Sequence, residues 1–397
     1  MRWPLMKNNI NAKDAHDLAG FLLTGKYPPA GHITYGQDST SIPSRLTNGD
    51  QVRTFEREFA DWLGVKYSVM VNSGSSANII TMQCVRDLCG DGEVIVPAIT
   101  WESDIAAVIH AGLRPVFVDI DPLTFGLNMY HVLDAITRNT QAVFATHCLG
   151  FDTGQLYVDS PKLIEDCCES IGATRDGKKL GTLGIASNFS FYYGHHMTTI
   201  EGGMICTDDA DFYQQARLYR SHGMVREFDD ADLRAEAEGY FPDLHPDFIF
   251  AVPGFNMRPT EINAVLGRSQ LKRLDENVKR RTENLRAWLQ GLGPKFRTDY
   301  SVEGSSSFAL PLVLKEQDKE LMGRVLALLR EQGVEYRRGT AGGGNQLRQP
   351  YIRARYGDLW KNYPQAEHVH FFGLYVGNYP DLAVSQIEEL CERLNTL

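Results

Sequence analysis

Short apolar runs alternate with helical spacings of apolar residues along the first half of the chain. The apolar runs are rich in β-branched residues and predict strands at residues 93–100 (EVIVPAIT), 114–121 (RPVFVDID) and 141–150 (QAVFATHCLG). Helical spacing predicts helices at residues 54–64 (TFEREFADWLG) and 102–112 (ESDIAAVIHAG). Strands that alternate with helices are typical of a largely parallel sheet covered on both faces.

A different pattern follows the amphipathic stretch at residues 258–292, which predicts a long helix that is bent or broken once. Residues 306–314 (SSFALPLVL) alternate like a strand with one face in water. Helical spacing returns at residues 319–332 and 383–395, on either side of a strand-like segment at 334–338 (VEYRR). These elements predict a smaller α+β unit at the C-terminal end.

The length of 397 residues suits two domains better than one. We therefore predict a large domain at residues 1–270 and a small C-terminal domain at residues 271–397, with the boundary near the long helix. Residues 27–50 are rich in Pro, Gly, Ser and Thr and predict an extended arm within the large domain.

Composition and charge exclude several classes of function. With 40 basic and 50 acidic residues the net charge is -10, so duplex nucleic acid is not an expected partner, although a local basic pocket can bind a nucleotide-linked small molecule. The first residues lack the apolar run of a signal peptide, and no apolar stretch approaches about 18 residues, so no membrane span is expected. The seven cysteines show no metal-type spacing and are expected as thiols in a reducing cytoplasm.

Three features near predicted strand ends carry candidate chemistry. Gly74, Ser75 and Ser76 open a helical run and would present backbone N–H groups to a phosphate. Asp166 ends an apolar strand, where a buried carboxylate needs a cationic partner, and Trp101 follows another strand end, where its face can stack on a flat ring. A helix cap, an ordinary strand-end carboxylate and a core tryptophan would explain the features separately. One ligand, pyridoxal 5'-phosphate (PLP), explains them together.

Several ordered motifs resemble those of the DegT/DnrJ/EryC1/StrS sugar aminotransferase family, from about Phe55 to the C-terminus. The matching segments are Ser73–Ala77 (SGSSA), Pro97–Trp101 (PAITW), 165–169 (EDCCE), 190–203 (SFYYGHHMTTIEGG) and 254–271 (GFNMRPTEINAVLGRSQL). The resemblance implies a fold-type-I PLP-dependent transferase of the α/β class, with a large mixed, mostly parallel sheet domain and a small C-terminal α+β domain. It also implies PLP or pyridoxamine 5'-phosphate as cofactor, and no metal.

The resemblance assigns contacts to the cofactor ring and to its phosphate. Asp166 is expected to pair with the pyridine nitrogen and Trp101 to stack on the ring. Glu169, where most members have glutamine, is expected to touch the ring hydroxyl.

The phosphate is expected to lie against Gly74, Ser75 and Ser190. Asn256 resembles the asparagine that reaches the phosphate from a second subunit, which implies a homodimer with shared active sites.

His195 occupies the position at which most members of the family carry a catalytic lysine. A lysine both bonds to the cofactor and moves protons, whereas an imidazole, with an ordinary pKa near ~6.5, does only the second. The exchange resembles the dehydratase branch of the family, as do the segments 221–223 (SHG) and 371–378 (FFGLYVGN). His196 is interpreted as structural, because adjacent residues of a strand point to opposite faces.

The resemblance therefore implies a lyase that uses L-glutamate as amino donor and removes the 3-hydroxyl of a nucleotide-linked 4-keto-6-deoxy sugar, with release of ammonia. Such a reaction belongs to deoxysugar biosynthesis for lipopolysaccharide O-antigen in the cytoplasm. His222, Arg226 and Arg337 are the weaker substrate-binding candidates. Residues 340–345 (TAGGGN), beside Arg337, line the path of the diphosphate or form a mobile loop, and residues 227–243 cover a neighbouring active site or form a solvated loop.

Four alternatives stay open at this point. An aminotransferase would need a lysine, and the nearest, Lys178 and Lys179, lie in a polar turn. A non-catalytic sensor would keep the fold and bind the cofactor or the sugar nucleotide. An iron–sulfur 3-dehydrase would need four cysteines, but only Cys206 and Cys391 follow the histidines. A zinc site at the tandem histidines lacks further ligands at a suitable spacing.

Overall fold

The computed structural model describes residues 2–27, 45–154 and 161–397, so most of the predicted arm at 27–50 lies outside the described residues. The chain divides into two compact units, each built from separate segments. The carboxylate unit comprises Met1–Lys7, Asp91–Gly184 and Leu274–Leu397, and the histidine unit comprises Asn8–Gly90 and Ile185–Arg273. The predicted boundary at 270/271 lies three residues before the change of unit at Arg273, and a separate C-terminal domain stays a prediction.

The described residues form the following helices and strands. In chain order the strands are β1 (Tyr67–Val71), β2 (Glu93–Pro97), β3 (Arg114–Val118), β4 (Thr140–Thr146), β5 (Lys162–Asp166), β6 (Thr174–Arg175), β7 (Lys178–Lys179), β8 (Ala186–Ser190), β9 (Gly203–Thr207), β10 (Ala309–Val313), β11 (Tyr336–Arg338) and β12 (Gly373–Gly377). The helices are α1 (Ala12–Thr24), α2 (Asp50–Leu63), α3 (Gly74–Cys89), α4 (Glu102–His110), α5 (Met129–Ala135), α6 (Ala210–Arg220), α7 (Ala231–Tyr240), α8 (Glu261–Leu271), α9 (Leu274–Gly291), α10 (Lys319–Glu331), α11 (Pro350–Tyr356), α12 (Pro364–Phe372) and α13 (Val384–Asn395).

The carboxylate unit contains the predicted parallel strands, in the order β5-β4-β2-β3. One buried apolar cluster lies against this sheet and excludes water from it. Its members are Ile95, Val118, Leu127, Val132, Val143 and Ala145. Because the strands are parallel, their carboxyl ends lie at one edge, where ligands bind in open α/β sheets.

The histidine unit contains three antiparallel strands in the order β1-β9-β8. Val71 at the end of β1 and Ser190 at the end of β8 both pair with Gly203 at the start of β9. This register brings the loop after β1 and the loop after β8 to the same edge. Glu261 begins α8, and its carboxylate accepts hydrogen bonds from the backbone N–H groups of Gly49, Gln51 and Val52, which caps α2.

The predicted break in the long helix is confirmed, because α8 ends at Leu271 and α9 begins at Leu274. The prediction that residues 306–314 form a half-exposed strand is wrong, since all five residues of β10 are buried. The strand pairs with β12, and Trp288 of α9 donates a hydrogen bond from Nε1 to the Pro311 carbonyl at 2.7 Å. The alternation in the sequence was one of side-chain size, with proline and alanine between larger apolar residues.

The segment 371–378 ends in a buried hydrogen-bond network around Asn378. The Asn378 amide donates to the carbonyls of Arg281 and Ser307, and its oxygen accepts from Asn284 Nδ2 at 2.9 Å. Burial lowers the pKa of Arg281 to about 10, while its guanidinium donates to the carbonyls of Phe308 and Asn378.

In the described part of the chain, no helix is both long and apolar enough to cross a bilayer.

Candidate active site

The carboxyl ends of the parallel strands in the carboxylate unit gather the predicted ring-binding residues. Trp101 lies just after β2 and is 48% exposed, so one face of its indole is free to contact a ligand. Asp166 ends β5 and is 4% exposed, and it is paired in register with Thr146 at the end of β4. The strands that carry Trp101 and Asp166 both flank β4, so the predicted residues are brought to one edge.

Asp166 is held by its surroundings. Its Oδ1 accepts a hydrogen bond from the Cys168 N–H at 2.8 Å, and its carboxyl is hydrogen-bonded to that of Asp104. Asp104 lies in the first turn of α4, is fully buried and accepts a hydrogen bond from the Thr146 hydroxyl at 2.7 Å. Sequence reasoning missed Asp104, because an acid in a first helical turn is ordinarily a surface group that favours the helix dipole.

Glu169 lies half-buried three residues beyond the strand end. Its Oε2 accepts the backbone N–H of Leu149 at 2.9 Å, and Leu149 is held at φ 54°, an uncommon value for a leucine. Burial raises the pKa of Glu169 to about 7, and the Asp166 charge acts in the same direction, while the Leu149 N–H and the charge of Arg337 oppose it. Arg337 on β11 is therefore an electrostatic neighbour of the predicted ring-binding residues.

A buried group of potential metal ligands also lies in the carboxylate unit, formed by His147, Glu165 and Cys167 within 4.8 Å. His147 Nδ1 accepts the N–H of Thr153 at 3.2 Å, so Nε2 carries the hydrogen and donates it to Glu165 at 3.2 Å. Burial acts to raise the pKa of Glu165, but His147 and the backbone N–H groups of Gly181 and Leu183 lower it below its usual value. Both imidazole nitrogens are used in hydrogen bonds, which leaves this group without a free ring lone pair.

The residues expected at the phosphate lie in a hydrogen-bonded turn of the histidine unit. Ser73 caps α3 by accepting the Ser76 N–H at 3.1 Å, and the Ser76 hydroxyl donates to Asn72 at 2.6 Å. Ser76 is thus buried and its hydroxyl is already used in a hydrogen bond within the turn, whereas Ser75 is exposed at the helix N-terminus. The first-turn N–H groups of this 16-residue helix are oriented for an anion.

Gly203 fixes how closely β9 approaches that turn. A Cβ at this position would lie 2.3 Å from the Ser73 oxygen and 2.8 Å from the Gly74 nitrogen. Only glycine fits at this position. Because Gly203 is also paired with Ser190 in the sheet, Ser190 lies at the same edge as the turn. The structure therefore brings Gly74, Ser75 and Ser190 to one edge of the histidine unit, and their binding of a phosphate stays a prediction.

His195 lies in a turn and not in a strand. Its N–H donates to the Tyr192 carbonyl at 3.0 Å, and its carbonyl accepts from Asn9 Nδ2 at 2.8 Å. The interpretation of His196 from strand geometry therefore rested on the wrong element. Burial separates the two histidines instead: the His195 side chain is half-buried with its ring edge-to-face against Tyr192, whereas His196 is fully buried.

Two side chains of α8 hold the far part of the histidine loop, residues 191–202. Gln270 Oε1 accepts the Thr198 N–H at 3.1 Å, and Asn263 Nδ2 donates to the Thr199 carbonyl at 2.7 Å. Sequence reasoning did not identify either role. The signal was present in the motif at 254–271, because residues seven apart lie on one face of a helix.

The weaker substrate-binding candidates are divided between the units, with His222 and Arg226 in the histidine unit and Arg337 in the carboxylate unit. His222 is half-buried with φ 61°, and its N–H donates to the Phe255 carbonyl. Asn256 is exposed and forms a bridge with Ser221. Arg226 lines a cavity of about 410 Å³ in the histidine unit, together with four further arginines. The lining residues of this arginine cavity are Arg45, Asn48, Arg53, Arg217, Arg220, Arg226 and Glu227.

The remaining alternatives from the sequence depend on a lysine, on cysteines and on the glycine-rich segment at 340–345, and the structure places each of these. Lys178 is exposed on the β6–β7 hairpin. Cys206 and Cys391 are buried thiols on β9 and α13, and none of the seven cysteines, all of which lie in the described residues, forms a disulfide. Four of the six residues at 340–345 are buried, and Gly342 approaches the Thr100 carbonyl so closely that a Cβ would lie 2.5 Å from it. Both interpretations of this segment, as the path of the diphosphate and as a mobile loop, stay predictions.

Comparison with known proteins places this arrangement in the fold of PLP-dependent aminotransferases. The structure of the E. coli GDP-4-keto-6-deoxy-D-mannose-3-dehydratase with bound hydrated PLP matches with a TM-score of 0.85 at 28% identity, over 99% of each chain. A structure of GDP-4-keto-6-deoxymannose-3-dehydratase with a trapped PLP-glutamate geminal diamine matches with a TM-score of 0.83 at 28% identity, over 99% of this chain and 100% of that one.

The chain belongs to the DegT/DnrJ/EryC1/StrS aminotransferase family, which it matches over residues 39–395. It is 32% identical over 360 residues to the GDP-4-keto-6-deoxy-D-mannose 3-dehydratase of Yersinia pseudotuberculosis, covering 87% of this chain and 91% of that protein. The predicted family, the predicted fold class and the prediction of an enzyme are thereby confirmed.

Proposed function

We propose that this protein is a PLP- and pyridoxamine-phosphate-dependent 3-dehydratase of a nucleotide-linked 4-keto-6-deoxy sugar, with L-glutamate as amino donor. The observation that carries the proposal is the half-buried His195 at the lysine position of a family motif, in a loop fixed by Asn9, Asn263 and Gln270. An imidazole held there moves protons but forms no lasting bond with an aldehyde.

The residues present fit the cofactor. Asp166 is a buried carboxylate at a strand end, which suits a protonated ring nitrogen. The exposed face of Trp101 suits stacking on the ring, and Glu169 suits the ring hydroxyl.

The phosphate fits the turn at the start of α3. The N–H groups of Gly74 and Ser75 and the hydroxyl of Ser190 would bind it, and the tight packing of Gly203 keeps the turn in place. When bound, the cofactor supplies an electron sink for the carbon atoms next to its amine.

The chain's own residues then determine the outcome. His195 would take a proton from the cofactor carbon that carries the amine and return one, which allows the sugar's 3-hydroxyl to leave. Since His195 stands where a lysine would recapture the cofactor, we expect water to release the product and the nitrogen to leave as ammonia. Loss of the hydroxyl and loss of ammonia are both expected in every turnover.

For the nucleotide, we propose a guanosine diphosphate linkage, as in the names of the relatives. Arg226 and the arginine cavity offer cationic groups for a diphosphate, because Arg45, Arg53 and Arg226 are exposed there. Arg337 is a second candidate beside Glu169. The exposed Asn256 is available to a second copy of the chain, so we expect a homodimer with shared sites.

The test is a reconstitution with PLP, L-glutamate and a panel of GDP-, CDP- and dTDP-linked 4-keto-6-deoxy sugars. Release of 2-oxoglutarate and ammonia, with a 3-deoxy-4-keto sugar identified by NMR, would support the proposal. An amino group retained on the sugar would establish an aminotransferase instead. Cofactor binding without any product from any sugar would point to a sensor.

A further inference from the structure

Asp104 and its neighbours form a hydrogen-bonded cluster that the proposed reaction does not use directly. We call Thr100, Asp104, Thr146 and Asp166 the carboxyl cluster; each is at most 5% exposed. Thr146 Oγ1 lies 2.7 Å from Asp104 Oδ2 and 2.8 Å from Thr100 Oγ1, and Thr100 Oγ1 is hydrogen-bonded to the same carboxyl oxygen. The Asp104 carboxyl is also hydrogen-bonded to Asp166.

Counting hydrogens shows that this cluster is incomplete if both acids are ionised. The two threonine hydroxyls supply one hydrogen each and both donate toward Asp104, which leaves none for the contact between the two carboxyls. Two ionised carboxyls would leave pairs of acceptors facing each other in the buried interior, which is costly. One proton on the carboxyl pair supplies a third hydrogen and removes the contact between like charges.

The electrostatic surroundings agree with that count. Burial raises the pKa of Asp104 well above its usual value, and Asp166 raises it further. The other titratable groups that interact with Asp104 in the described part of the chain are Cys148, Cys168 and Tyr351, and burial raises the pKa of each of them as well. They are neutral near pH 7, so Asp166 is the group that competes with Asp104 for the proton. Glu102, on the same helical turn, is exposed.

We propose that Asp104 is a positioning residue that shares one proton with Asp166 and thereby orients Asp166 for the cofactor's ring nitrogen. The shared hydrogen fixes the position of the Asp166 carboxyl, while Thr100 and Thr146 fix the Asp104 rotamer. The pair then carries a single negative charge, which balances one protonated ring nitrogen. The shared proton follows from the chain alone, whereas the role toward the ring rests on the proposed function.

The first experiment needs no cofactor. A group that is protonated in the folded chain but ionised in the unfolded chain stabilises the fold at low pH, and this contribution is lost as the pH rises toward the raised pKa. From about pH 5 until the pH approaches the raised pKa, the unfolding equilibrium constant of the wild-type chain should therefore rise about tenfold per pH unit more steeply than that of Asp104→Asn. Glu102→Gln, a matched change in the same helical turn, should follow the wild type.

Equal slopes for Asp104→Asn and the wild type would overturn the shared proton. A second measurement covers the case in which the variant does not fold. Glu169→Gln removes the carboxyl whose pKa lies near 7, and this chain at neutral pH should still show the infrared carbonyl band of a buried carboxylic acid. The absence of that band would overturn the proposal in the same way.

The second experiment measures PLP binding by the full chain. Asparagine mimics a protonated aspartate, so Asp104→Asn should keep the dissociation constant within about threefold of wild type. Asp104→Ala removes the donor to a charged group and should weaken binding about tenfold or more. Equal affinities for the two variants would overturn the role toward the ring nitrogen. If the wild type itself bound no PLP, the proposed function would fail, while the result on the shared proton would stand separately.

Discussion

The carboxylate unit and the histidine unit each present functional groups at the end of strands, but they hold them in opposite ways. In the carboxylate unit, Asp166 and Asp104 are buried at the ends of parallel strands and touch hydroxyl and backbone N–H groups. In the histidine unit, His195 is half-buried in a turn, and its backbone is held by Tyr192 and Asn9.

The difference follows from the work that each group does in the proposed reaction. A carboxylate that balances a ring charge must stay in one protonation state, and burial with fixed hydrogen bonds achieves this. An imidazole that moves protons must reach both the cofactor and the substrate, so its ring has to be accessible while its backbone is rigid. Replacing these groups should therefore affect different measurements.

The largest effect is expected for His195→Asn. Asparagine keeps the approximate size of the side chain but cannot take up a proton, so kcat should fall by about 10²–10⁴-fold with PLP affinity nearly unchanged. Ammonia release under saturating L-glutamate and sugar nucleotide measures the rate. His196→Asn is the neighbouring control, and a His195→Asn rate above one tenth of the wild type would remove His195 from the proton transfer.

His195→Lys should change the chemistry at the same position. The introduced amine is expected to bond to the aldehyde of the cofactor and to weaken dehydration, since it holds the cofactor covalently. Absorbance before and after borohydride reduction, followed by mass measurement, detects the bond. A chain that binds PLP without such a bond would show that residue 195 does not face the cofactor.

A smaller effect is expected on the other side of the comparison. Asp166→Ala removes a charged hydrogen-bond acceptor from the ring nitrogen and should weaken PLP binding by about 10–100-fold. Equilibrium dialysis measures the affinity, and unfolding of the cofactor-free variant controls for damage to the fold. Unchanged affinity in a folded variant would contradict the role of Asp166.

Sequence patterns predicted the helices and strands well where the spacing of apolar residues matches the element that the structure forms there. The parallel strands, the phosphate turn at Gly74 and the strand-end Asp166 all lie where the pattern indicated. The sequence could not reveal Asp104, because its character comes from Thr146 and Asp166, which lie more than forty residues away in the chain. The burial of β10 and the turn at His195 also depend on packing partners and not on local pattern.

An effect of intermediate size on the free energy of unfolding is expected in the histidine loop. Gln270→Ala removes the acceptor for the Thr198 N–H and leaves a buried donor unsatisfied, which should lower the free energy of unfolding by about 1–3 kcal/mol. Urea denaturation measures the loss. Gln290→Ala, the same change at an exposed position of α9, should cost less than about 0.5 kcal/mol. Equal losses would show that the loop does not depend on Gln270.

The smallest effect is expected at Glu169, where burial raises the pKa to about 7. The folded chain then holds a proton that the unfolded chain releases near pH 4.5, so Glu169 contributes stability below that pH and loses it as the pH rises through about 7. Because Glu169 is only half-buried, solvent reduces the contribution, and we expect Glu169→Gln to gain about 1 kcal/mol over wild type at pH 8 but nothing at pH 4.5. The exposed Glu303→Gln is the control in urea titrations at the two pH values. A gain that is equal at both pH values would mean that burial does not hold a proton on Glu169 in the folded chain.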